Sequence, residues 1–216
     1  MNKEQRDTVW SSVCLFVGFA LWTVAVLQVD VQAIGPRGTV VGLATVNGSF
    51  HTLTGVHMIL YTVTDWLGLV PLMFVIGFGI FGLIQWIQRK HILRVDYSIL
   101  VLGGFYIVVM AAYLLFETVV INYRPILING YLEASYPSST TLLVLCVMPT
   151  AMMQLHARIK NHTLKRCINL AIVIFVVFMV IGRLVSGVHW LSDIVGGGLL
   201  SAGLVLLYRA IGCVKD

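Results

Sequence analysis

Three ionisable residues near the C-terminal end of the chain have the types and the spacing that phosphate chemistry needs. Arg183, His189 and Asp193 lie in one short segment between two long apolar stretches, and charged groups at a membrane span usually mark a functional site. Residues four apart share one helix face, so Asp193 can hold one ring nitrogen of His189 while the other faces a substrate. Arg183 adds a planar guanidinium that matches phosphate oxygens. The segment therefore predicts phosphate chemistry at one end of a membrane helix bundle.

A second polar cluster opens an earlier apolar stretch and consists of Pro137, Ser138, Ser139 and Thr140. Proline suits the first turn of a helix, and serine or threonine caps it. The free amides of such a turn bind anions, helped by the helix dipole. A phosphate there would meet the amides of residues 138–140 and the hydroxyls of Ser138 and Ser139. Alone, the cluster also fits an ordinary capped helix; the arginines predicted beside it favour a phosphate site.

Composition restricts the class of protein. Of the 216 residues, 59% are hydrophobic and 11% charged, and the mean hydropathy is +0.94. These values lie outside the range of soluble domains and indicate an all-α, multi-pass membrane protein with a single domain over residues 1–216. The net charge of +5 does not indicate a nucleic-acid partner, because the basic residues cluster between apolar spans.

Hydropathy predicts a bundle of six transmembrane helices. The spans cover about 9–29, 66–87, 97–116, 141–155, 167–182 and 189–208, where a span needs roughly 20 residues. The fourth is short as an apolar run, so we expect it to extend from near Ser138 to near His156. Between the first two spans, Phe50 to Tyr61 is amphipathic and predicts a short interfacial helix, either roofing the site or simply packing at the surface.

The distribution of basic residues predicts the orientation. Of the 14 lysine and arginine residues, Arg37, Arg124 and Arg183 fall on one side of the predicted membrane and the other eleven fall on the opposite side. Because basic loops stay in the cytoplasm, both termini are expected to be cytoplasmic. The polar clusters are then expected at the outer face of an integral plasma membrane protein.

Taken together, these residues resemble the three motifs of the type 2 phosphatidic acid phosphatase (PAP2) superfamily. The family pattern is Lys-x6-Arg-Pro, then Pro-Ser-Gly-His, then Ser-Arg-x5-His-x3-Asp. The chain has Arg124-Pro125, then Pro137-Ser138-Ser139-Thr140, then Arg183-x5-His189-x3-Asp193. The six-span layout and an outer-face site also resemble the lipid phosphatase branch of that family.

The resemblance implies a role for each matching residue. His189 would be the nucleophile that forms a phosphohistidine, and Asp193 would orient it. Arg124 and Arg183 would clamp the phosphoryl oxygens and stabilise the charge of the transition state. Ser138 and the neighbouring amides would complete the cradle, and water would release phosphate. That scheme needs no cofactor and no metal; the partners it implies are a lipid phosphate or diphosphate substrate and the membrane lipids, and the oligomeric state is left open.

Four positions depart from the family pattern. Glu117 replaces the lysine, Ser139 the glycine, and Gly182 the serine before the third-motif arginine. Thr140 replaces the histidine that would protonate the leaving oxygen. A carboxylate beside phosphate needs compensation, and pairing of Glu117 with Arg124 is one explanation.

The loss of the histidine leaves several interpretations. A phosphate leaving group needs little protonation, whereas loss of general acid catalysis from an alkoxide costs roughly 10²–10⁴-fold; this favours a lipid diphosphate of the polyprenyl type. Alternatively His51, His57 or Tyr136 replaces the acid. The chain could instead bind or transport phospholipids without turnover, although a retained His–Asp pair argues against that. A lipid phosphotransferase with an alcohol acceptor is a further alternative, and a membrane lipid phosphatase is the function we expect.

Overall fold

A computed structural model describes residues 3–212 of the chain. It contains eight α-helices: α1 Lys3–Gln28, α2 Ala44–Thr54, α3 Met58–Leu67, α4 Leu69–Arg89, α5 Tyr97–Thr118, α6 Ser139–Arg158, α7 His162–Val185 and α8 Leu191–Gly212. Short 3₁₀ turns occupy Pro36–Gly38 and Ile92–Arg94. Between residues 3 and 212 there is no β-strand, and only three isolated β-bridges occur in the loops. The all-α prediction is confirmed.

Six helical segments are long and apolar enough to cross a membrane. They are Lys3–Gln28, Met58–Arg89, Tyr97–Thr118, Ser139–Arg158, His162–Val185 and Leu191–Gly212. Inside a bilayer the backbone has no water to bond, so a continuous helix is the structure that satisfies it. The prediction of six spans is confirmed, and the fourth extends over almost the residues expected for it.

A short helix does lie between the first two spans, but its bounds differ from the prediction. The segment from Phe50 to Tyr61 is not one helix, because α2 ends at Thr54, with Gly55 as its C-cap, and α3 starts at Met58. Gly55 has φ 69° and ψ −162°, a backbone conformation that glycine adopts without a steric penalty. The second half of the predicted helix therefore belongs to α3, which continues into the second span.

Helix α2 is attached to the beginning of α8. The Asn47 side chain accepts a hydrogen bond from the Ser192 backbone N–H at 3.0 Å and donates one to the Ser192 hydroxyl at 2.9 Å. Asn47 is almost completely buried. Since the first N–H groups of a helix lack partners within it, Asn47 supplies one to α8 and fixes α2 over that end of the bundle.

The core of the bundle lies around α6 and α8. Their buried faces pack with α5 in a cluster that includes Leu102, Phe105, Leu142, Val147, Leu200 and Leu204. Helix α1 lies along α8, where Gly203 contacts the Phe16 ring and the Ser12 hydroxyl donates to the Gly203 carbonyl at 2.8 Å. Such close approach through small residues is the usual basis of helix packing in lipid. The starts of α6 and α8 thus belong to the two helices that form the packed core of the bundle.

The loop between α5 and α6 folds back on itself as a hairpin, residues 122–135. Arg124 N–H donates to the Glu133 carbonyl at 3.1 Å, and Ser135 N–H donates to the Asn122 carbonyl at 2.9 Å. At the hairpin tip the Gly130 carbonyl accepts from the Arg37 guanidinium at 3.0 Å. The hairpin places Arg124 and Ser135 on the two facing segments of one loop.

Helix α3 is seated against α7 and against the turn that follows it. A Cβ atom at Gly182 would lie 2.7 Å from the Thr64 methyl, so the two helices approach closely only because residue 182 is glycine. In the turn, Gly187 has φ 70° and packs on the Gly55 carbonyl, while His57 N–H donates to the Ser186 carbonyl at 3.0 Å. These contacts bring the side chains of α3 beside Arg183.

Candidate active site

The structure brings the four predicted ionisable residues to the same end of the bundle. Arg124 comes from the hairpin, Arg183 from the last turn of α7, His189 from the following turn, and Asp193 from the first turn of α8. All four are buried, and the Arg183 side chain is only 1% exposed. Buried charged groups must be paired or kept for a ligand, so their partners determine what this cluster can do.

The hydrogen bonds of His189 define which ring nitrogen is free to react. Nε2 lies 3.2 Å from Nη2 of Arg183, and Nδ1 lies 3.1 Å from the Ser135 hydroxyl. A guanidinium can only donate, so Nε2 accepts and the ring proton is on Nδ1. Burial, followed by the positive charges of Arg124 and Arg183, holds the pKa of His189 well below its usual value. The ring is therefore neutral at physiological pH, with a lone pair on Nε2.

Ser135 connects His189 to Asp193. The direct distance from Nδ1 of His189 to Oδ2 of Asp193 is 3.7 Å, which is too long for a hydrogen bond. The Ser135 hydroxyl lies between them, accepts from Nδ1–H and donates to Oδ2 of Asp193. The same carboxylate oxygen accepts from the Trp190 backbone N–H at 2.8 Å, which fixes its position. Sequence reasoning missed Ser135 because a serine outside the three motifs carries no distinguishing pattern.

Two guanidinium groups meet around one aromatic ring. The Cζ atoms of Arg124 and Arg183 lie 5.8 and 5.1 Å from the centre of the Tyr61 ring, within cation–π range. Within residues 3–212, neither Nη1 of Arg124 nor Nε of Arg183 has a hydrogen-bond partner, although both are buried. Buried donors normally have acceptors, so these atoms are suited to the oxygens of an anion.

Arg124 also forms an ion pair, but not with the residue suggested by the sequence. Its Nη2 lies 3.2 Å from Oε2 of Glu133, its neighbour across the hairpin. Glu117 is exposed at the end of α5 and borders a small cleft that also includes Ser135 and Ser139. The Glu117–Arg124 pairing is therefore wrong, since the hairpin supplies the carboxylate instead.

Helix α3 contributes a carboxylate that sequence reasoning did not connect with the site. Oδ1 of Asp65 lies 3.5 Å from Nη1 of Arg183, and the Asp65 side chain is 56% exposed. Asp65 and Tyr61 are four residues apart, so they share the face of α3 that contacts the arginines. The available signal was an acidic residue at the start of the second span.

The residues of the second polar cluster differ in their burial and contacts. Ser138 is completely buried, and its N–H donates to the Asp193 carbonyl at 3.1 Å. The prediction that this amide meets a phosphate is wrong, because the amide already holds α8. Ser139 and Thr140 are partly exposed in the first turn of α6, and a Cβ at Gly68 would lie 3.6 Å from the Thr140 methyl. Thr140 thus lies beside the junction of α3 and α4.

The three residues considered as replacement acids have other contacts. The His51 ring is 5.5 Å from the Trp190 ring, and burial lowers the pKa of His51. His57 is exposed, with Nε2 2.9 Å from the Thr54 carbonyl. The Tyr136 hydroxyl bonds to Thr23 of α1 at 2.7 Å, and burial raises its pKa to about 12. In the described part of the chain, none of the three side chains forms a hydrogen bond or an ion pair with His189 or either arginine. As for metals, residues 3–212 contain no group of three or more His, Cys, Asp and Glu side chains that could hold an ion.

Comparison with known proteins agrees with the motifs. The family model of the PAP2 superfamily matches residues 39–212, a range that includes all three polar clusters. The fold is similar to the crystal structure of a transmembrane PAP2-type phosphatidylglycerolphosphate phosphatase from Bacillus subtilis, with a TM-score of 0.57, 20% identity and 94% of each chain covered. No protein of curated function matches the sequence. Since the family model extends over most of the chain, the protein belongs to the PAP2 superfamily and has the six-span fold of its membrane phosphatases.

Proposed function

We propose that the protein is a membrane lipid phosphatase that works through a phosphohistidine at His189 and acts on a lipid diphosphate of the polyprenyl type. One observation carries the proposal. The unprotonated Nε2 of His189 lies 3.2 Å from Arg183, and buried donors of Arg183 and Arg124 lack protein acceptors among residues 3–212. A nucleophilic nitrogen beside unpaired guanidinium donors is what phosphoryl transfer requires.

In the first step, Nε2 of His189 attacks phosphorus. Arg183 turns from Nε2 to the phosphoryl oxygens as the phosphate enters, and Arg124 binds a second oxygen through Nη1. The ring becomes positively charged as the phosphorus–nitrogen bond forms, and its Nδ1–H is held through Ser135 by Asp193. The backbone N–H groups of Ser139 and Thr140 at the start of α6 add donors to the cradle.

The substrate class follows from the residue at position 140. A threonine hydroxyl does not donate a proton at neutral pH, so a leaving alkoxide would depart unprotonated. A leaving phosphate monoester is far more stable as an anion and needs less general acid catalysis. The lipid tail of the substrate would stay in the bilayer beside the apolar surface of the bundle, and the lipid head group would reach the site. A lipid diphosphate therefore fits this site better than a lipid monophosphate.

Two other activities share this site. The missing acid at Thr140 would suit a protein that binds or transports phospholipids without turnover; such binding would be lost in Arg124→Ala or Arg183→Ala and kept in His189→Ala. A lipid phosphotransferase would use the same phosphohistidine with an alcohol as acceptor. Phosphate release in water, measured with and without added alcohol, separates these activities from hydrolysis.

The direct test is phosphate release by the purified protein in liposomes. We expect release from a polyprenyl diphosphate to exceed release from the matching monophosphate. His189→Ala should reduce it by about 1,000-fold or more, because removal of a nucleophile leaves only weak residual catalysis. The matched control is His162→Ala, at the exposed start of α7 at the opposite end of the bundle, which should retain full activity. Equal release by the wild type and His189→Ala would refute the proposal.

A further inference from the structure

We propose that Asp65 is the general base that activates water for the second half of the reaction, the hydrolysis of the phosphohistidine. The inference rests on the proposed function and assigns a catalytic residue on α3, outside the three motifs. Its geometric basis is the single guanidinium of Arg183. One of its nitrogens, Nη2, lies 3.2 Å from Nε2 of His189, and the other, Nη1, lies 3.5 Å from Oδ1 of Asp65.

A phosphoryl group on Nε2 of His189 would bind the same guanidinium that holds Asp65. The carboxylate would then be next to the phosphoryl oxygens and within reach of a water molecule that approaches phosphorus. Proximity of this kind, through one water, is the geometric condition for a general base. The Tyr61 ring, on the same helix face as Asp65, lies 5.1 Å from Cζ of Arg183 and helps to hold the guanidinium in place.

Asp65 is also the least enclosed of the carboxylates around the site. Its side chain is 56% exposed, whereas the Asp193 side chain is completely buried and already accepts from Ser135 and Trp190. Glu133 is partly exposed but belongs to Arg124 across the hairpin. A base must take a proton from water and pass it to solvent, and among these three carboxylates Asp65 is placed beside Arg183 to do both.

Two departures from the family pattern lie against α3. Gly182 allows α7 to approach Thr64, the residue before Asp65, and Thr140 lies beside Gly68, three residues after it. A serine at 182 would crowd Thr64 and displace α3. Compared with the family pattern, the chain lacks a titratable side chain at position 140. The close contact between Gly182 and Thr64 also brings the Asp65 carboxylate near Arg183. These two changes are consistent with transfer of the proton-handling role from α6 to α3.

The proposed step is balanced. The oxygen of water forms a bond to phosphorus while the phosphorus–Nε2 bond breaks and its electron pair returns to the His189 ring. One proton of the water passes to the Asp65 carboxylate and then to solvent. The products are inorganic phosphate and neutral His189, ready for the next substrate. The first step needs no proton donor when the leaving group is a phosphate, so one base is sufficient.

The experiment is a rapid-quench measurement with a lipid diphosphate that carries ³²P in its terminal phosphate. Asp65→Asn should form the phosphoenzyme at close to the wild-type rate and then accumulate it, because loss of general base catalysis slows breakdown by about 10²–10⁴-fold. The matched control Glu133→Gln removes the carboxylate that pairs with Arg124, the second arginine of the site. It should weaken substrate binding or slow phosphoenzyme formation without accumulation of the phosphoenzyme.

Two further variants test whether a replacement base restores the activity lost at position 65. Asp65→Ala should regain turnover when formate is added, since the small carboxylate can occupy the vacated space. Thr140→His in the Asp65→Asn background should restore breakdown, because a histidine beside Gly68 returns a titratable group to this part of the site.

Normal turnover in Asp65→Asn, or equal loss of phosphoenzyme formation and breakdown, would overturn the assignment; the second result would make Asp65 a residue that only positions Arg183. A wild-type protein that releases no phosphate and forms no phosphoenzyme would instead refute the proposed function itself.

Discussion

At the residue scale, the arrangement around His189 explains how a carboxylate can act on an imidazole that it does not touch. Asp193 is 3.7 Å from Nδ1, and the Ser135 hydroxyl completes the connection. In the proposed reaction, phosphorylation makes the His189 ring positive, and this hydroxyl would link that charge to the buried carboxylate. Ser135 is therefore a positioning residue, and its contribution should appear in kcat rather than in KM.

Substitution of Ser135 tests this connection. Ser135→Ala removes a hydrogen bond to an ionised group worth about 1.5–3 kcal/mol, which corresponds to a fall in kcat of about 10–100-fold. KM should change little, because the serine faces His189 and Asp193 rather than the arginines. Ser135→Thr keeps the hydroxyl and should recover part of the activity. The control is Ser11→Ala, whose hydroxyl bonds within α1 near its exposed start; a rise in KM alone would contradict the role.

The sequence was sufficient to predict those site residues that lie together in one continuous segment, because their types and spacing are visible there. Arg183, His189 and Asp193 were predicted as one cluster for that reason, and the structure places them together. Ser135 and Asp65 were not, because their position beside the cluster arises from the hairpin and from the packing of α3. No periodicity or local spacing in the sequence encodes contacts between segments that are 54 and 118 residues apart.

At the element scale, the spans were predictable because lipid imposes a helix on every apolar stretch of sufficient length. The break between α2 and α3 was not. Apolar residues continue on both sides of Gly55, so the amphipathic pattern from Phe50 to Tyr61 runs through the break as if one helix were present. The consequence matters for the site, because the break allows α3 to turn towards α7 and to present Asp65 to Arg183.

The contact between α3 and α7 can be tested at Gly182. Gly182→Ala places a Cβ 2.7 Å from the Thr64 methyl, and overpacking of this kind costs about 1–3 kcal/mol. Displacement of α3 should also move Asp65, so turnover should fall together with thermal stability. The control Gly198→Ala adds the same group on α8, where nothing lies within 4 Å, and should change neither.

A second substitution assigns the effect to this contact. Thr64→Ser removes the methyl and keeps the hydroxyl, which bonds within α3 to the Leu60 carbonyl at 2.9 Å. Combined with Gly182→Ala it should recover turnover and stability, and a double-mutant cycle would give the coupling energy. Purely additive losses would show that the two residues do not interact and that α3 is held elsewhere.

At the scale of the whole molecule, the bundle has two chemically different ends. The end with the site holds Arg37, Arg124 and Arg183, and each of these has a partner in the hairpin or the site. The opposite end carries the cations at or just after the C-terminal ends of α4, α6 and α8, among them Arg89, Arg94, Arg158 and Arg209. Because lysine and arginine concentrate in cytoplasmic loops, this separation supports the proposal that the site faces outward.

This proposal predicts which loops an impermeant reagent reaches in intact cells. In a chain whose four native cysteines are replaced, Tyr131→Cys introduces a thiol at the hairpin tip, where the native side chain is 73% exposed. Leu93→Cys does the same in the turn between α4 and α5, at a side chain that is 78% exposed. We expect a membrane-impermeant maleimide to label the Tyr131→Cys variant from outside and to label the Leu93→Cys variant only after the cells are opened. Because the two positions are similarly accessible in the protein, a difference in labelling can arise only from the membrane. The reverse pattern would place the active site in the cytoplasm, where the substrate would have to be a lipid of the inner leaflet.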